Sequence, residues 1–167
     1  MGVNDSSAGA RSLGATSAAP GSVALRQLAR RVLARRAGGA NGTNANGVES
    51  LVAAANRAYD DLVLASAPVI GQTGVDALIG RAVHLAQREF PWLPTAATRD
   101  RLGKSFADVL ASLQKQDLAV ATDATAAVFA TFAGLLIIFI GESLTAHLLD
   151  RAWPDAARDR TQRSHER

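Results

Sequence analysis

Cysteine is absent from the 167 residues, which removes disulfide frameworks, thiolate nucleophiles and cysteine-based zinc sites together. Aromatic residues make up only 5% of the chain, too few for a platform on which nucleic-acid bases stack. Lysine occurs only at Lys104 and Lys115, so the formal net charge of +3 rests on arginine. With the abundant alanine, this composition reads as the codon usage of a GC-rich bacterial genome. The three histidines, His84, His147 and His165, are too scattered for a zinc site, and none lies in an H-E-x-x-H arrangement. Glu142 and His147 are five apart on one helix, about 140° around its axis from each other, and do not readily meet. No nucleophile elbow, Walker loop, strand alternation or internal repeat stands in the letters. These absences predict a non-enzymatic protein that uses neither cofactor nor metal.

What the chain does have is one long stretch without charge, between Asp123 and Glu142. Its length matches the ~18 residues at which a membrane span becomes a candidate. Within it, residues 135–140 form an unbroken apolar block that goes all the way round a helix, the pattern of a helix buried in protein or in lipid. The nine large apolar residues of the stretch sum to only about −3 to −5 kcal/mol of insertion energy, and its flanks carry acids instead of Lys/Arg or Trp/Tyr anchors. Beyond Glu142 the pattern turns amphipathic, with Leu144, Leu148 and Leu149 at helical spacing, until Pro154 stops it. The reading is one long helix over 124–153 at the centre of a cytoplasmic bundle. The alternative is a single span at 124–141 in the inner membrane. On either reading Ile138→Glu is predicted to be severe, because it buries an unpaired charge or opposes insertion.

Before that stretch, residues 1–22 are Ser-, Ala- and Gly-rich without periodicity and are expected to be disordered, with no secretory signal. Residues 23–37 read as a basic amphipathic helix, with Leu25, Leu28, Val32 and Leu33 on one side and Arg26, Arg30, Arg31, Arg35 and Arg36 elsewhere. It either meets an anionic surface or docks its leucines on the bundle, and residues 38–47 are a flexible tether of turn formers. A helix over 49–66 ends at Pro68 and Gly71, and a third runs to about Phe90, where His84 shares an exposed cationic side with Arg81 and Arg88. A rigid corner at Phe90-Pro91-Trp92-Leu93-Pro94 plugs one end of the core. A fourth helix, capped at Thr95 or Thr98, carries Leu102, Phe106, Val109, Leu110 and Leu113 to about Lys115.

The fold class expected is all-α: an antiparallel up-down bundle with one long C-terminal central helix and disordered termini. The four-helix domain covers 48–154 and a charged tail 155–167. The function expected is that of an interaction or regulatory module with a protein partner, self-associating through the 124–153 helix. Phe129, Phe132, Leu136, Ile137, Ile140 and Leu144 are the contact candidates, because they cover more circumference than three short helices hide. Arg26, Arg30, Arg31 and Arg35 are the candidates for an anionic membrane surface and, as a weaker alternative, for nonspecific nucleic-acid binding.

Overall fold

The computed structural model describes residues 20–38, 47–94, 105–156 and 158, and among them the chain is helical with no strand. The helices are α1 (Pro20–Gly38), α2 (Gly47–Ile70), α3 (Gln72–Ala86), α4 (Ser105–Leu113), α5 (Leu118–Ile140) and α6 (Glu142–Ala152). Most of the leader, the interior of the 38–47 linker, Thr95, Thr98, Leu102 and the end of the tail lie outside the described residues.

The long C-terminal stretch is two helices. Gly141 has φ 89° and ψ 162°, a backbone region open essentially to glycine alone. There α5 ends, with the Gly141 N–H donating to the Ile137 carbonyl at 2.9 Å. The chain then turns back, since the Phe129 and Trp153 rings, twelve residues before and after Gly141, lie 5.7 Å apart. A continuous helix would separate those two positions by about 36 Å. Thr145, fully buried, secures the corner: its N–H and its hydroxyl both donate to the Gly141 carbonyl, at 3.2 and 2.8 Å.

A matching corner joins α2 to α3. Gly71 has φ 77° and ψ 159°, accepts from the Val75 N–H at 3.1 Å and donates to Ala67 at 2.8 Å. Pro68 therefore does not end α2, which runs to Ile70. Pro68 and Leu64, whose carbonyl lacks the bond that a proline cannot donate, both lie on the exposed side of the helix, where water can satisfy that carbonyl. No threonine or serine side chain caps α3. Its first turn starts from Gly71, with Gln72 Nε2 donating to Asp76 Oδ1 at 3.0 Å.

The likeness extends along both hairpins at an offset of 70 residues, the separation of the two glycines. Leu51, Ala54, Ala55, Ala58, Leu62 and Ser66 are buried in α2, and so are Ala121, Ala124, Thr125, Val128, Phe132 and Leu136 in α5. Val75, Ile79, Ala82, Val83 and Ala86 are buried after Gly71, as are Thr145, Leu149, Ala152, Trp153 and Ala156 after Gly141. The chain thus holds an internal structural repeat that its letters do not display. The hairpins interlock, with α3 packed on α5 and α6 on α2. Trp153 Nε1 donates to the Ala58 carbonyl across that seam at 3.2 Å.

Beyond the shared pattern, α5 also buries Ala126, Ala127, Phe129, Ala130 and Ala133. Its further partner is α1, which packs along α5 and against α2 with Leu28, Ala29, Val32 and Leu33 buried. The leucines of this basic helix are therefore docked on the body. In α4, Phe106, Val109 and Leu113 are buried, and the Phe106 ring lies between Tyr59 (4.1 Å) and Phe129 (5.7 Å). Leu93 plugs the core as the 90–94 corner suggests, while Phe90 and Trp92 meet edge to face at 6.1 Å, each half-buried. The start of the expected charged tail is part of the body: residues 154–156 form a helical turn, and Ala156 is buried.

Candidate interaction surface

The apolar surface expected on the long helix is smaller than its letters suggest, and it is displaced. Phe129, Phe132 and Leu136 are fully buried, so these three candidates do not face a partner. They sit on the i, i+3/i+4 stripe that begins at Ala121 and is covered by α2, α3, α4 and α6. Ile137 and Ile140 are half-buried, and Leu144 is 40% exposed. The most open large apolar residues of the corner are two that were not candidates, Ile138 at 83% and Phe139 at 70% exposure. Periodicity marks only the first of them: Ile138 lies about 200° around the axis from Leu136, whereas Phe139, seven residues after the buried Phe132, shares its face and is open at the last turn before Gly141.

The tip of the α5–α6 hairpin is thus a small exposed apolar patch, Ile138-Phe139 before Gly141 and Leu144 after it. Its one charged member, Glu142, is exposed in the first turn of α6, with no arginine partner among the described residues.

The arginines of α1 are largely engaged. Arg26 grips Glu89 with two bonds of 2.9 and 2.8 Å, and this hydrogen bonding holds its pKa above the ordinary value. Arg30 pairs with Asp123 at 2.7 Å and Arg36 with Asp61 at 2.6 Å. Arg35 donates to the Asp155 carbonyl at 2.8 Å, while Arg36 also reaches the Ala152 carbonyl at 3.4 Å. Arg31 is partly buried, with its Nε unpartnered among the described residues. Of the four candidate arginines, three are thereby turned toward the body, which anchors α1 and leaves little free charge for phosphates.

Among the described residues no group of acidic or histidine side chains is placed to hold a metal ion. His84 and His147 are both exposed. Among the described residues the most perturbed ionisable group is Tyr59, whose pKa is pushed up to about 12, first by burial and then by Asp76 and Asp60. It stacks on Phe106. By length and composition α5 is long and apolar enough to cross a membrane. No protein-family model, curated protein or solved structure matches the chain.

Proposed function

We propose that this protein is a non-enzymatic helical interaction module that self-associates through the tip of its α5–α6 hairpin. The observation that carries the reading is the exposure of two adjacent large apolar residues, Ile138 and Phe139, at a corner whose backbone is fixed by Gly141 and Thr145. Exposed apolar residues grouped in one patch mark contact surfaces more often than residues scattered singly. The arrangement we favour is an antiparallel up-down bundle with α5 as its central helix. Support comes from its packing against α1, α2, α3 and α6 and from the return of α6 along it. We place the protein in the cytoplasm of a bacterial cell. Light scattering over a range of concentrations tests the reading: a dimer is expected, reduced to monomer by Phe139→Ser. A parent that stays monomeric throughout defeats it.

A second reading follows from the length and apolarity of α5: insertion of that helix as a single span of the inner membrane. It requires α5 to leave α1, α2 and α3, whose side chains would lose the burial α5 provides. A carbonate-resistant membrane pellet favours it, and a protein recovered in the soluble fraction removes it. Nucleic-acid binding by α1 gains no support, because Arg26, Arg30 and Arg36 already face acids.

A further inference from the structure

Two clefts meet at the N-terminal half of α1, and they differ in character. One, about 420 Å³, is walled by apolar groups, chiefly Leu25, Leu85, Leu135 and Ile137, with Gly134 among its lining residues. The other, about 710 Å³, is lined by Arg26, Gln27, Arg30, Arg88 and Glu89. They share Ser22, Arg26 and Leu85, so one opens beside the other. Both volumes fall in the range of roughly 300–1,000 Å³ typical of small-molecule sites.

We propose that the adjoining clefts bind a single-chain amphiphile with an anionic headgroup, its hydrocarbon chain over Gly134 and its head at Arg88. Gly134 stands inside α5, where glycine destabilises a helix relative to alanine. No close neighbour accounts for it, since a Cβ there would meet no atom within 4 Å. The equivalent position of the other hairpin is Leu64, at 71% exposure, so such a site on the helix accepts a large side chain. What glycine provides at 134 is an open floor to the apolar cleft. The charge at the other end is selective. Glu89 compensates Arg26 and Asp123 compensates Arg30, but Arg88 has no acidic partner among the described residues. One uncompensated guanidinium beside an apolar cleft is complementary to a carboxylate, sulfate or phosphate on a hydrocarbon chain. The apolar part is an open groove lined by α1, α3 and α5, and the charge at one end of it fits a single anionic chain.

The apolar cleft shares Ile138 with the hairpin tip, whereas Gly134 and Arg88 lie off it, so variants at those two positions test the cleft apart from self-association. Calorimetric titration of the full chain with laurate below its micellar concentration is the test. Dodecyltrimethylammonium serves as the same chain with opposite charge, acetate as the head alone, and dodecanol as the uncharged chain. Laurate is expected to bind at one site per chain, acetate not at all, and the cation about tenfold or more weaker. Gly134→Leu fills the floor and should weaken laurate about tenfold or more while melting no earlier than the parent. Arg88→Gln should weaken laurate about tenfold and leave dodecanol unchanged. The proposal is overturned by absence of laurate binding, by equal affinity for the two charges, or by a Gly134→Leu variant that binds as the parent does. It is also overturned if phosphatidylglycerol vesicles carry parent and Gly134→Leu variant equally in flotation while laurate gives no saturable heat.

Discussion

The α2–α3 and α5–α6 hairpins are built on one plan and read very differently as sequence. Each bends at a glycine of positive φ, 77° at Gly71 and 89° at Gly141, and each buries corresponding positions 70 residues apart. Yet α2 looks like an ordinary amphipathic helix, whereas α5 has the composition of a membrane span. The difference lies in what covers them. Helix α5 carries α1 along a face whose counterpart on α2 keeps Leu64 exposed, so α5 has the uncharged Ala127, Ala130 and Thr131 where α2 has Arg57, Asp60 and Asp61. Apolarity all round a helix here records the number of neighbours.

The sharpest way to break this comparison is at the corners themselves. Gly71→Ala and Gly141→Ala should each lower stability by about 1–3 kcal/mol, because the backbone region is unfavourable for any side chain while neither Cβ meets a neighbour. Denaturant titration should give similar losses at the two sites. A loss at only one would mean that the two turns are not the same device.

The next test exchanges the residues four positions beyond the glycines, Thr145 and Val75. Thr145→Val removes a buried hydroxyl that donates to the Gly141 carbonyl and should cost about 0.5–1.5 kcal/mol. The reverse change, Val75→Thr, places a hydroxyl at a fully buried site with the Gly71 carbonyl at the same spacing. It should therefore cost less than the ~1–3 kcal/mol of an unsatisfied buried hydroxyl. Thermal melts of both variants decide whether the corners are interchangeable.

A smaller effect separates the hairpins by pH. Tyr59 and Phe129 stand at equivalent positions, twelve residues before their glycines, but only Tyr59 titrates. Its folded pKa of about 12 lies above the unfolded value of about 10. The neutral phenol's contribution to stability is thus complete below about pH 10 and declines as pH rises toward 12. Tyr59→Phe keeps the ring against Phe106 and should flatten the alkaline limb of a melting-temperature profile. The smallest effect is expected at Ile138. With 83% of its surface exposed, Ile138→Glu should change stability by no more than about 0.5 kcal/mol, where the sequence had predicted a severe loss.

That reversal shows which features the letters carry. The buried stripes of α2, α3 and α4 were legible, because Leu51, Ala55 and Leu62, or Phe106, Val109 and Leu113, recur at helical spacing between polar residues. In α5 no polar residues mark a face, so the depth of Phe132 and the exposure of Phe139 read alike. Gly141 does not read as a corner, because a lone glycine within a helical pattern is tolerated, and Pro68 reads as a helix end because its exposed position is not visible in the letters. The repeat was hidden for a further reason. Few residues such as Ile70 with Ile140 and Gly71 with Gly141 are identical, while the order of buried and exposed positions is preserved. Burial tolerates exchange of apolar side chains of different size when neighbours change with them.

The interlocking of the hairpins also bears on how copies of this chain meet. Because α3 rests on α5 while α6 rests on α2, the seam is reciprocal, and a reciprocal seam closes between two chains as well as within one. Two molecules that traded their α5–α6 hairpins would bury the same side chains and remake the Trp153–Ala58 bond. Only the path from α3 to α5 would change. Such a dimer would form by way of opened chains, as on refolding at high concentration, and would persist on dilution. An association through Ile138 and Phe139 would instead dissolve as soon as the protein was thinned.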